Sequence, residues 1–254
     1  GKGTCGKCRV KVSGDVNPPT ENERDHLTRE ELGAGLRLAC MCRVEGTAQV
    51  ELTTGANQRI LTEGGAETVE GAEGVMAAVD IGTTTIAAYL LRDGATIDCE
   101  AAMNPQRSVG ADVISRVDYV VNHEDGLYFL SGQVRRKVDE LIARMTARQG
   151  IEPAEIRLVS LVGNPIMTHI LACVDPRAIA VAPYTPAYRE AFLTHGLLES
   201  APGAKEFVGG CAAGYVGSDT IAAVMAAGMD RSDEVSLLLD IGTNGEIALG
   251  GRRR

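Results

Sequence analysis

Tryptophan is absent from the 254 residues, and aromatic side chains make up only 4% of them. Stacking platforms for bases or sugar rings are therefore not this chain's main tool. Basic residues are in the minority, 25 Lys and Arg against 34 Asp and Glu, for a net charge of −9. Non-specific nucleic-acid binding needs a basic surface, and the terminal run Arg252, Arg253, Arg254 is too short to supply one. No nucleic acid is expected as a partner. Long apolar runs are missing as well. No stretch approaches the ~20 residues of a membrane-spanning helix, so no membrane partner is expected, and the expected location is cytoplasmic.

Cysteine, by contrast, is well represented. Four of the seven cysteines fall within residues 1–54, as a C-x-x-C pair (Cys5, Cys8) and a C-x-C pair (Cys40, Cys42). An odd total with such close pairs reads as metal or cluster ligation rather than a disulfide framework. Cys99, Cys173 and Cys211 show no pairing pattern and read as small buried hydrophobes. The sequence opens at Gly1, inside a motif, and is expected to be a fragment of a longer chain, truncated at both ends.

Composition divides the chain into three segments. Residues 1–54 carry strand-like runs at 9–12 and 49–52, separated by a polar stretch, 17–31, that should contain a short helix. Thr28 and Glu31 have capping-box spacing. Residues 55–74 are rich in Gly and Glu and read as a flexible linker. From residue 75 the pattern becomes α/β, with strand runs at 75–79, 86–91, 95–101, 156–162 and 235–239. Helices are expected at 109–122, 126–149, 165–173 and 218–227. Leu127, Leu130, Val134, Val138, Leu141, Ile142 and Met145 form one apolar stripe at three- and four-residue steps.

The stretch Gly3-Thr4-Cys5-Gly6-Lys7-Cys8, followed by Arg37-Leu38-Ala39-Cys40, resembles the cluster loop of plant-type [2Fe–2S] ferredoxins. Glycines at 1, 3 and 6 suit that chemistry, because backbone N–H groups reach bridging sulfides only where side chains stay clear. The resemblance implies Cys5, Cys8 and Cys40 as metal ligands, with the first ligand of the family pattern falling upstream of Gly1. The competing reading is a tetrahedral zinc site on Cys5, Cys8, Cys40 and Cys42.

A second pattern is duplicated. Residues 75–83 end in Asp80-Ile81-Gly82-Thr83, and residues 235–243 end in Asp240-Ile241-Gly242-Thr243. In each, a buried strand brings a carboxylate to a tight turn, glycine lets backbone approach an oxyanion, and threonine adds a hydroxyl. A carboxylate beside phosphates repels them unless a cation intervenes, so Asp80 and Asp240 imply Mg²⁺ held through water. The bland alternative is a pair of β-hairpins with glycine turns. The arrangement looks like the acetate and sugar kinase, Hsp70 and actin superfamily, in which two lobes clasp ATP. That likeness implies Gly82, Thr83, Thr84 and Thr85 as phosphate contacts in lobe one (about 75–210). It implies Gly242, Thr243, Asn244 and Gly245 in an incomplete lobe two (about 211–254), with Glu246 nearby.

A ferredoxin module ahead of such a domain resembles the reductive activators of corrinoid proteins. The stretches 104–106, 110–116, 163–169 and 214–219 resemble that family too. The implied fold is an α+β ferredoxin-like (β-grasp) module followed by an α/β actin-like (ribonuclease H-like) domain. The implied activity is ATP-dependent electron transfer from a [2Fe–2S] cluster that returns Co(II) corrinoid to Co(I), with this piece alone inactive. Implied cofactors are the cluster and ATP with Mg²⁺. Implied partners are a corrinoid protein or corrinoid-dependent methyltransferase and a low-potential electron donor, and a homodimer stays open. Two other readings stand beside it: a simple electron-transfer protein with a non-hydrolysing docking domain, and a sugar or acyl kinase with a zinc-binding extension. Asn164 reads as a helix cap with nucleotide contact as the alternative, His169 as a packing residue, and Asp112 with Arg116 as a surface ion pair.

Overall fold

The computed structural model describes residues 3, 6, 8–51 and 68–252. The chain divides into two compact units, Gly1–Arg59 and Ile60–Arg254.

In the first unit the elements are β1 (Arg9–Val16), α1 (Glu21–Arg24), α2 (Arg29–Gly33), β2 (Leu36–Leu38) and β3 (Val44–Glu51). The strands form an antiparallel sheet in the order β2-β1-β3. The expected single helix is a pair, each opened by its own capping box, Thr20–Glu23 and Thr28–Glu31. Val10, Val12, Leu27 and Leu38 are the buried apolar residues of this unit among those described, a small core. A buried ion pair supplements it. Glu23 is 0% exposed and Arg37 5%, with Arg37 Nε donating to Glu23 Oε1 at 2.8 Å and Nη2 to Oε2 at 2.9 Å. The same carboxylate accepts from Thr20 N at 2.8 Å and Leu38 N at 3.1 Å. Burial pushes the Glu23 carboxyl up, but the Arg37 guanidinium and these N–H groups outweigh it and hold the group at about 2.

In the second unit β4 (Val75–Ile81), β5 (Thr85–Arg92) and β6 (Ala95–Met103) form an antiparallel meander. Helices α3 (Val113–Asn122) and α4 (Gly126–Gln149) lead to β7 (Ile156–Gly163), which pairs parallel to β4. Then come α5 (Pro165–Leu171), α6 (Arg177–Ala180), β8 (Phe192–Thr194), β9 (Lys205–Val208) and α7 (Ser218–Ala226). The sheet order is β6-β5-β4-β7-β9-β8. The apolar stripe of α4 lies on this sheet. Leu130, Val134, Val138, Leu141, Ile142 and Met145 are each 0% exposed and pack with Ile86, Ala88 and Leu90 of β5 in one core. Each such side chain contributes about 2 kcal/mol of transfer free energy. A separate hairpin of β10 (Ser236–Ile241) and β11 (Gly245–Gly250) follows, with Leu237, Leu239, Ile247 and Leu249 exposed.

Three expectations need correction. The strand expected to be buried at 235–239 has Val235, Leu237 and Leu239 exposed, because its hairpin stands apart from the six-stranded sheet. The helix expected from 109 begins at Val113, because Asp112 is its N-cap and accepts from Ser115 N at 2.8 Å. The end of the expected linker is tied to the second unit: Val69 N donates to Gly94 O at 3.0 Å and Gly74 N to Asp93 Oδ1 at 2.8 Å. Its earlier part, through residue 67, lies outside the described residues.

Removing one partner of a buried ion pair costs roughly 3–5 kcal/mol. Glu23→Gln is therefore expected to speed amide exchange across β1 and β2, measured by hydrogen–deuterium exchange. The depressed carboxyl stabilises the unit fully above its unfolded value, about 4.5, and loses that contribution as pH falls toward 2. Wild-type protection should drop in that window, and the Gln variant should lack the drop.

Candidate functional site

Cys8 precedes β1, and Cys40 sits in a one-turn helix, Ala39–Met41, directly after β2. The sheet brings them together: Cys8 Sγ lies 3.3 Å from Cys40 Sγ, and Ala39 N donates to Cys8 O at 2.7 Å. Two thiolates on one tetrahedral metal at ~2.3 Å stand roughly 3.8 Å apart, so this pair fits ligation of a single ion after a small shift. Burial, then the Cys8 sulfur beside it, pushes the Cys40 thiol up. Cys5 lies outside the described residues. Cys42 ends the same one-turn helix. Among the described residues no three His, Cys, Asp or Glu side chains converge to hold a metal ion, so Cys42 does not join Cys8 and Cys40. Gly3 and Gly6 adopt φ of 71° and 63°. The positive φ at Gly3 favours glycine there, and a Cβ would press on the flexible end of Met41, 2.7 Å from its Sδ.

In the second unit the turn between β4 and β5 is held from behind. Asn104 Nδ2 donates to Gly82 O at 2.9 Å, and Asn104 N donates to Thr84 O at 2.9 Å. The guanidinium of Arg116 donates to Thr83 O. Asn164 Nδ2 donates to Thr83 Oγ1 at 3.1 Å while its Oδ1 caps α5 through Met167 N at 3.0 Å. Each trans peptide is planar with C=O and N–H opposed. With three carbonyls turned to Asn104 and Arg116, the N–H groups of Thr83, Thr84 and Thr85 point the other way. That is an anion-receiving arrangement.

The second turn meets the first. Thr84 Oγ1 lies 2.6 Å from Thr243 Oγ1, so the duplicated turns touch across a long stretch of intervening sequence. Gly242 N donates to Asn244 O at 3.0 Å and closes the second turn. Around this contact stand Asp80, Asp219, Asp240 and Glu246. Asp80 keeps an exposed side chain, yet partial desolvation by its packed neighbours, and after it the charges of Asp219 and Asp240, push its carboxyl up to about 6. Asp219 and Glu246 are raised for the same reasons, burial first and neighbouring carboxylates after it. Asp240 and Glu246 are direct cross-strand partners, a placement that repels unless a cation intervenes. A cleft of about 350 Å³ beside them is lined by Asn164, Tyr215, Thr220, Asn244, Gly245 and Glu246, among others.

Sequence reasoning missed Asp219, which lies in the stretch 214–219 without an assigned role; its signal was the acidic residue opening an apolar helix. It also misplaced Arg116. Arg116 is fully buried rather than on the surface, and its four acceptors are Thr83 O, Gln106 Oε1, Gly110 O and Met167 Sδ. Asp112 is engaged with Ser115, so no surface ion pair forms between the two. His169 is a packing residue: its Nδ1 donates to Pro165 O at 2.6 Å, its Nε2 accepts from Ala187 N, and its ring stacks on Tyr188. Of the unpaired cysteines only Cys211 is buried; Cys99 and Cys173 are half-buried.

Residues 75–232 match the family model described as the RACo middle region, and residues 1–45 match the 2Fe-2S iron-sulfur cluster binding domain. Over 179 residues the chain is 30% identical to the corrinoid activation enzyme RamQ of Eubacterium limosum, a match covering 68% of this chain and 30% of that protein. Over 55 residues it is 42% identical to one component of the Na(+)-translocating NADH-quinone reductase of Idiomarina loihiensis, covering 20% of this chain and 13% of that one. A solved reductive activator for a corrinoid, iron-sulfur protein shares the fold, with a TM-score of 0.69 at 24% identity over 99% of this chain and 56% of that one. The chain thus spans about a third to a half of the length of its longer relatives.

After anaerobic reconstitution with iron and sulfide, Cys8→Ala and Cys40→Ala are each expected to lose the visible absorption of an iron–sulfur cluster, while Cys42→Ala keeps it. Stoichiometric zinc without a chromophore in the wild type would instead select the four-thiolate zinc site.

Proposed function

The chain belongs to the family of the RACo middle region, and on that premise we propose that the full protein is an ATP-dependent reductive activator that returns Co(II) corrinoid proteins to Co(I). The observation that carries this reading is the contact between the two Asp-Ile-Gly-Thr turns at Thr84 and Thr243, in a chain whose N-terminal unit pairs Cys8 with Cys40. A ligand gripped at that contact is one that two turns can share, and a chain of phosphates meets the requirement.

In this reading Cys5, Cys8 and Cys40 hold a [2Fe–2S] cluster. The cluster supplies a one-electron donor at about −400 mV, and reducing Co(II) is uphill from there, so coupling to ATP has a physical reason. Glu23 and Arg37 fix β2, and with it the one-turn helix that presents Cys40. Gly82, Thr83, Thr84 and Thr85 offer outward N–H groups and hydroxyls to phosphate oxygens. Gly242, Thr243, Asn244 and Gly245 line the facing turn, where Thr243 adds its hydroxyl and the Gly242 N–H is already engaged by Asn244 O. Asp80 and Asp240, joined by Asp219 and Glu246, orient Mg²⁺ through water, since their carboxylates do not converge for direct ligation among the described residues. The domain division follows the same lines, a ferredoxin-type module to residue 54 and a nucleotide domain from residue 75. The corrinoid protein and a low-potential donor are the partners. A simple electron carrier would leave the touching turns without a purpose, and a zinc-stabilised kinase would leave the ferredoxin-like loop without one.

The test is anaerobic reduction of a Co(II) corrinoid protein by the reconstituted full-length protein, followed by the optical spectrum of Co(I). ATP with Mg²⁺ should be required. Asp80→Asn should lower the ATP-dependent rate at least tenfold, on the order of 1.4 kcal/mol, while the cluster spectrum is unchanged. Equal rates with and without ATP would reject the reading.

A further inference from the structure

Arg116 is the largest fully buried side chain among the described residues, and the sequence offered it no partner beyond Asp112. It lies on α3, behind the lobe-one turn. Its guanidinium donates to Thr83 O, to Gln106 Oε1 at 3.0 Å, to Met167 Sδ at 2.9 Å and through Nε to Gly110 O at 3.3 Å. Every one of these acceptors is neutral. Asp112, the acidic group whose charge acts on it, uses both carboxylate oxygens on Ser115. Arg107 adds a second positive charge from outside. Burial pulls the Arg116 pKa down to about 10, which leaves it charged at neutral pH.

A buried cation with only neutral acceptors is costly. Neutral side chains of the same length would brace α3 against α5 more cheaply, so packing alone does not account for it. Its position does. The guanidinium holds the one carbonyl, Thr83 O, whose peptide carries the Thr84 N–H at the crest of the turn. Its charge lies beneath the groups that face the touching turns. An anion arriving there finds both an oriented N–H array and the field of a guanidinium that is itself buried and so poorly screened from behind.

We infer that Arg116 is a positioning residue for the phosphates of a bound nucleotide, acting through the Thr83 carbonyl and its own buried charge without touching the ligand. The inference rests on reading the turn as a phosphate site. It adds that affinity depends on a residue outside the cleft, and that the dependence grows with the number of phosphates. Asn104 and Asn164 support the same turn with neutral bonds only. Arg116 alone among the turn's named supports brings charge.

The test uses the full-length protein and isothermal calorimetry with Mg²⁺ and ATP, ADP or AMP. Arg116→Lys keeps the charge but cannot hold four acceptors; Arg116→Met removes the charge at similar length. ATP affinity should fall about tenfold in Arg116→Lys and further in Arg116→Met, the scale of one lost charge-assisted hydrogen bond. The loss should be larger for ATP than for ADP and larger for ADP than for AMP. Exposed Arg107→Gln should bind as wild type does. A purely structural role would lower the melting temperature and leave the affinities of the folded variants equal across the three nucleotides; that result overturns the inference. Should Arg116→Met fail to fold, Arg116→Lys decides alone. Hydrogen exchange in the wild type decides independently: ATP should slow the amides of residues 83–85, and ATP binding without such slowing overturns the inference. A wild type that binds no nucleotide would instead reject the functional reading itself.

Discussion

The carbonyl oxygens of Gly82, Thr83 and Thr84 are all engaged by Asn104 and Arg116, and the rest of the second unit can be understood as what makes that possible. A planar trans peptide points its N–H opposite its C=O, so holding the carbonyl fixes the direction of the N–H. Asn104 comes from the end of β6, Arg116 from α3 and Asn164 from the cap of α5. These elements are fixed in turn by the core in which α4 lies on β5 and β6. Packing several residues away is thereby converted into the orientation of a short turn.

The two turns differ in how they are held. The first is braced by side chains from three elements. The second belongs to a hairpin closed by its own ladder and by the bond between Gly242 N and Asn244 O, with Ile241 90% exposed at its end. Charge is distributed just as unevenly. A buried cation lies behind the first turn, while a group of carboxylates stands in front of it, with Asp80, Asp219 and Glu246 raised by burial first and by neighbouring carboxylates after it. In the proposed reading a divalent cation offsets the front and a phosphate chain bridges the two, so neither charge is compensated until both ligands arrive.

The N-terminal unit solves a different problem. Its apolar core is small among the described residues, and a short sheet holds the Cys8 and Cys40 sulfurs 3.3 Å apart. The Glu23–Arg37 pair is attached to β2 through both Arg37 and Leu38 N, one turn before Cys40. Stiffness is thereby placed next to the paired sulfurs.

Several of these features could be read from the residues alone. Apolar runs located β4, β5 and β7, because a buried strand leaves a nearly unbroken signature; the third run, at 95–101, is the strand β6, but with Asp98 and Glu100 in it none of its residues is fully buried. The stripe of α4 was equally plain, and so was the duplication of Asp-Ile-Gly-Thr. The start of α3 was not, since Asp112 has the same spacing to Arg116 as a surface ion pair, and only the fold shows the first capping Ser115 and the second turned inward. Asp219 had only a faint signal, an acidic residue opening an apolar helix, because the neighbouring Asp80 and Asp240 that set its environment are distant in sequence. Local pattern determined the elements, the cysteine pairs and the repeated turns, for these depend on residues within a few positions of one another. Tertiary structure alone decided which carbonyls are held, which charge is buried and that Thr84 meets Thr243, because those facts depend on helices and strands converging from far along the chain, and no short-range periodicity encodes where they meet.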